Sequence, residues 1–244
     1  LHSTRAVMKA LQQYGANIIE LGIPYSDPLA DGPVIQKSSS VALANGMTIA
    51  ILIEQLRDFR NEIHLPVVLM GYMNPVLQYG FERFCADAAA AGIDGLILPD
   101  LPEYEFESEY GPVIKKYGLD FIFLVTPETS EERVRKLDSL SSGFIYAVSS
   151  SSTTVKEKVE AEAKTEVEVE VEVEENLGGY LSRLKSMQLK NPILVGFGIR
   201  DKAGFEAVCR FSEGGIIGSA YIKALENSTD VNASTKSFIS SILG

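Results

Sequence analysis

Tryptophan is absent from the 244 residues, Cys and His occur twice each, and no apolar run approaches the roughly 20 residues that span a bilayer. The last absence excludes a membrane-spanning helix. Cys85 and Cys209 lie far apart with no second Cys or His at ligand spacing, which argues against a disulfide framework and a metal site. Positive charge is also scarce: 22 Lys and Arg face 33 Asp and Glu, giving a net charge of −11 and a pI near 4.8. Nucleic-acid affinity rests on clustered Lys and Arg, so no nucleic-acid partner is expected. The opening Leu1-His2-Ser3-Thr4-Arg5 has no signal-peptide pattern, which predicts a cytoplasmic protein, and the missing initiator Met predicts a truncated or engineered start. No G-x-S-x-G elbow or H-E-x-x-H helix is present, and His2 and His64 are isolated. Asn227-Ser228-Thr229 and Asn232-Ala233-Ser234 fit the glycosylation pattern but, without a secretion signal, read as loop and cap residues. What the chain does have is 45% apolar residues, enough for one soluble domain spanning 1–244.

Short apolar runs alternate with longer amphipathic ones, the pattern of strand and helix units around a parallel sheet. Asn17–Ile23, Pro66–Tyr72, Asp94–Leu98, Asp120–Val125, Gly143–Val148, Ile193–Phe197 and Gly215–Ile217 read as seven buried strands. Helices are expected over Ser3–Tyr14, Thr48–Arg60, Gly80–Ala91, Glu105–Tyr117, Ser130–Leu137, Gly179–Met187 and Lys202–Phe211. A repeat that opens on a helix lacks the strand that should precede it. The fold class is therefore α/β, an eight-stranded (β/α) barrel without its first strand.

Val155–Glu175 breaks this style. Residues 156–175 hold nine Glu and three Lys, and Val167, Val169, Val171 and Val173 alternate with Glu. An extended strand there has one apolar and one acidic face, which suits an antiparallel or edge strand at the surface and not a doubly covered barrel strand. A solvated charged loop is the alternative. The regularity looks designed, and one strand gained where one is lost suggests a remodelled topology.

The most informative stretch is Ile19-Glu20-Leu21-Gly22-Ile23-Pro24-Tyr25-Ser26-Asp27-Pro28-Leu29-Ala30-Asp31-Gly32-Pro33. Glu20 sits inside an apolar strand, where lost hydration raises a carboxyl pKa toward neutrality, the condition for proton transfer. Asp31 follows in the same loop, at the end of a barrel where active sites form. The spacing alone fits equally a satisfied core carboxylate and a turn or cap residue. Gly196 and Gly198 lack the third Gly of a dinucleotide fingerprint, because Asp201 stands there, so NAD binding is rejected.

The run ELGIPYSDPLADGPVIQ resembles the signature of the tryptophan synthase α chain family. LMGYMNPVLQYG, GLILPDLP, FIYAVSSSSTT, LVGFGIR and IIGSAYIK are similar to its successive strand ends. The resemblance implies a (β/α)8 barrel that splits indole-3-glycerol phosphate into indole and glyceraldehyde 3-phosphate by a retro-aldol step. It implies no cofactor in this chain, since pyridoxal phosphate belongs to a β-chain partner that receives the indole. By the same resemblance Glu20 is the general acid/base that protonates indole C3, and Asp31 steadies the positive charge on the indole nitrogen. Tyr72, Tyr146 and Phe197 line the indole pocket; Gly198, Gly218 and Ser219 hold the phosphate. Aromatics at strand ends also pack cores, and that reading stands beside the pocket one.

Two departures bear on function. The family's first strand is absent, and an open sheet edge invites pairing with another chain. Thr154 matches the family's loop threonine, but Val155 replaces the glycine after it and the acidic stretch replaces the rest of the lid, which predicts slowed turnover and a weakened β-chain contact. The competing expectation is an engineered scaffold with the site present but inactive. A different phosphate-binding barrel isomerase is disfavoured by how specific the Glu20–Asp31 run is.

Overall fold

Strands two to four residues long alternate with helices through the computed structural model, which describes residues 3–148, 178–196 and 198–244. The chain divides by packing into two compact units: Leu1–Ile122 with Gly218–Gly244, and Phe123–Ile217. Val155–Glu175, Thr154 and Phe197 lie outside the described residues.

The first unit opens on α1 (Thr4–Tyr14), followed by β1 (Ile19–Gly22), α2 (Pro33–Ala44), α3 (Ile49–Gln55), β2 (Val67–Met70), α4 (Met73–Tyr79), α5 (Phe81–Ala91) and β3 (Gly95–Ile97). Glu103–Glu105, a π turn over Phe106–Tyr110 and α6 (Gly111–Lys116) lead to β4 (Asp120–Phe121). Its four strands pair in parallel in the order β1-β2-β3-β4, with Glu20 opposite Val68. Parallel pairing places every C-terminal strand end on one edge of the sheet. Met8, Leu56, Phe59, Phe84, Leu69, Leu96 and Phe121 are fully or almost fully buried and form its core.

The second unit runs through β5 (Leu124–Val125), α7 (Glu131–Leu140), β6 (Ile145–Val148), a helix α8 over residues 178–186, β7 (Ile193–Gly196), α9 (Lys202–Cys209) and β8 (Gly214–Ile216). Its strands are parallel in the order β5-β6-β7-β8. Two helices, α10 (Ser219–Leu225) and α11 (Val231–Leu243), return to the first unit, where α11 packs on α1 and the Tyr14 hydroxyl donates to Asn232 Oδ1 at 2.6 Å. Among the described residues the end strands of the two sheets, β1 and β4 in one and β5 and β8 in the other, each have one strand neighbour.

Three expectations are corrected. Eight strands are described where seven were predicted, because Asp120–Val125 is two strands. Ile122 N–H still donates to Leu96 O at 3.0 Å, in the β3 partnership; Phe123 O already accepts from Tyr146 N–H at 3.1 Å, in the β6 partnership. Phe123 N–H turns to Ser141 Oγ at 3.1 Å, so the ladder is interrupted there. Thr48–Arg60 is not one helix: Thr48 caps α3, and Asp58 at φ 59° starts a separate 3₁₀ turn over Phe59–Asn61. Glu105–Tyr117 contains the π turn, because Pro112 has no N–H to continue the α ladder.

The N-terminal strand ends are held by polar hubs. In the first unit the Arg60 guanidinium donates to Gly92 O at 2.8 Å, to Leu65 O at 2.6 Å and to Asp94, whose Oδ2 accepts from Val67 N–H at 2.7 Å. In the second, Asp138 is 7% exposed and accepts from Lys190 N–H at 2.7 Å, Asn191 N–H at 3.0 Å and Asn191 Nδ2 at 2.9 Å. Removing that carboxylate strands buried donors. Asp138→Ala is therefore expected to lower the unfolding free energy by about 2–4 kcal/mol in urea titration, whereas a change under about 0.5 kcal/mol shows that water replaces the hub.

Candidate active site

The geometry starts from β1. Glu20 is its second residue, flanked by fully buried Ile19, and the residue as a whole is partly open. Its Oε2, however, is enclosed and has no hydrogen-bond partner among the described residues. An ionised oxygen there loses hydration with nothing in return. Burial pushes the Glu20 carboxyl from 4.5 up to about 7, and the negative charge of Asp31 adds to the rise.

Asp31 stands in the loop between β1 and α2, half-buried. The loop is closed by short-range bonds: Leu29 N–H to Asp27 O at 2.9 Å, Asp31 N–H to Pro28 O at 3.1 Å, and Gln36 Nε2 to Asp31 O at 2.8 Å. Pro33 then opens α2, where its missing N–H costs nothing. Burial raises the Asp31 carboxyl above its ordinary value, while a hydrogen bond from the Tyr72 hydroxyl pulls it back.

Tyr72 reaches this loop from the end of β2. It is 7% exposed, has extended backbone at φ −122° and precedes the first residue of α4. Its hydroxyl donates to Asp31 and accepts from Ala30 N–H at 3.1 Å. Burial first, then the neighbouring Asp31 charge, push the phenol up to about 12, so it stays protonated. Tyr25 lies against the Tyr72 ring at 5.4 Å between centroids and accepts from Asn74 Nδ2 at 3.0 Å. Met73 N–H donates to both carboxylate oxygens of Asp100, each at 3.0 Å.

Tyr72 is thus brought to the Ala30–Asp31 segment, and Glu20 lies within reach of the Asp31 charge. Gly218 and Ser219, also in the first unit, are exposed at the start of α10, with Ile35 3.7 Å from where a Gly218 Cβ would lie. In the second unit Tyr146 is 8% exposed in β6. A Cβ on Gly196 would lie 2.2 Å from the Tyr146 ring, so the ring needs glycine in β7. Gly198, at φ 41°, is exposed in the turn after β7 and takes the left-handed region open to glycine. Sequence reasoning missed Tyr25, Asn74 and Asp100. The last stands in GLILPDLP at a strand end, the one signal that marks it.

Among the described residues no group of three or more His, Cys, Asp or Glu is placed to hold a metal, and no single helix is long and apolar enough to cross a membrane.

A family model described as the tryptophan synthase alpha chain matches residues 1–241. The tryptophan synthase alpha chain of Parabacteroides distasonis is 46% identical over 227 residues, covering 93% of this chain and 83% of that one. Among solved structures, the tryptophan synthase A-subunit of Pyrococcus furiosus superposes with a TM-score of 0.84 at 32% identity, covering 99% and 92% of the two chains. Tryptophan synthase from M. tuberculosis in an aminoacrylate-bound form gives 0.79 at 31% identity, covering 98% and 87%.

An acid whose folded pKa is raised costs stability as pH climbs from its unfolded value to its folded one. For Glu20 that window runs from 4.5 to about 7. Glu20→Gln should leave unfolding free energy near unchanged at pH 4 and raise it by up to about 3 kcal/mol at pH 8. Equal effects at both pH values in denaturant titrations would contradict the raised pKa.

Proposed function

Because the chain belongs to the tryptophan synthase alpha chain family, we propose that Glu20 and Asp31 are the acid/base and the electrostatic partner of that family's cleavage of indole-3-glycerol phosphate. The chain is a lyase of the tryptophan synthase alpha type on the α/β barrel fold, releasing indole and glyceraldehyde 3-phosphate. The enclosed, unpartnered Glu20 Oε2 beside the Asp31–Tyr72 pair is the observation that carries the assignment.

The chemistry needs two carboxyls in opposite states. Protonating C3 of the indole ring puts positive charge on the ring nitrogen and takes an acid that still holds its proton near neutral pH. Glu20, raised to about 7, is one. The cation needs a fixed negative charge, and the Tyr72 hydroxyl favours that form of Asp31. As the carbon–carbon bond breaks, its electron pair returns to the ring and neutralises the nitrogen. The hydroxyl on the departing carbon becomes the aldehyde carbonyl, and its proton passes to the Glu20 carboxylate, restoring the acid.

By the family resemblance Tyr72, Tyr146 and Phe197 are the aromatic residues assigned to the indole. By the same resemblance Gly198, Gly218 and Ser219 are the residues assigned to the phosphate. By the same resemblance Thr154 matches the family's loop threonine. The β chain is the partner that takes up the indole, and one of the similar structures is of tryptophan synthase itself. Leu29, 90% exposed at the tip of the Asp31 loop, is the apolar contact proposed for it.

In a coupled assay of indole release, Glu20→Gln should lower kcat by on the order of 10²–10⁴-fold. The wild-type kcat/KM should fall above pH 7 as Glu20 loses its proton, and at low pH as Asp31 gains one. A rate unaffected by Glu20→Gln removes the assignment. Leu29→Asp should weaken β-chain binding by about tenfold or more in calorimetry, and an unchanged affinity moves the contact elsewhere.

A further inference from the structure

The catalytic assignment leaves one carboxylate near the site unused. Asp100 follows β3, is exposed, and aims both oxygens at a single backbone donor, the N–H of Met73. That N–H belongs to the peptide joining Tyr72 to α4, so holding it fixes the Tyr72 backbone and, with two rotatable bonds left, where the phenol ends. The phenol ends between Ala30 N–H and Asp31.

We propose that Asp100 is a positioning residue for this reaction, anchoring Tyr72 by the Met73 N–H so that the phenol holds the Asp31 loop in place. The inference rests on the lyase reading above. Its physical basis is leverage. Asp100 stands 27 residues from Met73 in sequence, and Tyr72 stands 42 residues from Ala30. Three strand ends are thereby tied by the hydrogen bonds of Met73 N–H, Ala30 N–H and the Tyr72 hydroxyl: β3 through Asp100, β2 through Tyr72, and β1 through Ala30 and Asp31. Without the Asp100 bond the Tyr72 ring keeps its stacking on Tyr25 but loses the restraint on its entry angle. Asp31 then sits less accurately against a developing cation, a defect expressed in the transition state more than in substrate binding.

The test separates positioning from stability and from the function itself. Hydrogen exchange at the Ala30 amide reads the Tyr72 contact directly. Asp100→Ala should speed it about tenfold, as Tyr72→Phe does, and Asp100→Asn, whose amide oxygen still accepts, should restore most of the protection. In the indole-release assay Asp100→Ala should lower kcat about tenfold with KM changed less than twofold, and the double variant with Tyr72→Phe should lose no more than the worse single variant. Asp100→Ser, polar but too short to span the gap, repeats the comparison if the alanine variant does not fold. Unchanged Ala30 exchange in the folded variants overturns the positioning role, as do kcat losses that multiply in the double variant. If wild type releases no indole while Ala30 exchange responds as stated, the lyase reading fails and the anchoring stands.

Discussion

Two carboxyls that feel each other's charge cannot both ionise freely, and this site depends on which of them keeps the proton. Burial raises both Glu20 and Asp31, so desolvation alone would leave two acids competing for the same role. The symmetry is broken by one neutral hydroxyl. Tyr72 donates to Asp31 and not to Glu20, whose Oε2 has no partner among the described residues. That bond offsets part of the rise at Asp31, whose charge in turn raises Glu20 further. Each unit of separation is about 1.4 kcal/mol of difference between protonation states, so a single well-placed bond matters.

The fold divides labour along the strands. Their N-terminal ends are stitched by Arg60 with Asp94 in the first unit and by Asp138 with Asn191 in the second, both gathering backbone N–H or carbonyl groups that begin or precede strands. In the first unit the C-terminal ends carry Asp31, Tyr72 and Asp100 on connecting segments. This is the arrangement parallel sheets impose: one edge for integrity, the other for chemistry.

How much of this was readable in advance follows from the physics of each part. Doubly covered strands read as continuous apolar runs, so all the described ones fall inside predicted spans to within a residue or two. The division of Asp120–Val125 was not readable, because it is decided by which neighbour each peptide faces and not by side-chain hydropathy. Pro33–Ala44 was missed as a helix: with Ser38, Ser39 and Ser40 at its centre and no fully buried residue, it carries little periodic signal. Glu20 stood out because an acid in an apolar run is conspicuous in any sequence, and Asp31 because it follows in the loop after that strand and matches the family run. Asp100 did not, since its role depends on a peptide 27 residues away. The remodelled-scaffold expectation rests on the absent first strand together with Val155–Glu175, which lies outside the described residues, and the comparisons with known proteins give it no support.

The identity of the group beside Asp31 is itself constrained. A Lys or Arg in place of Tyr72 would hold Asp31 ionised far more firmly, through a charge-assisted bond. The same positive charge, in a poorly hydrated site, would also favour the ionised form of Glu20 and draw its pKa back down toward the ordinary carboxylate range. The acid would then be spent before reaching the substrate. A neutral donor avoids this, because it stabilises its partner over a hydrogen-bond length and adds little field beyond. With its pKa pushed to about 12, Tyr72 stays neutral through the whole range in which Glu20 titrates, so the donor never changes sign while the acid works. Phenylalanine would keep the ring but remove the donor that offsets the rise at Asp31, so the hydroxyl has a part separate from that of the ring.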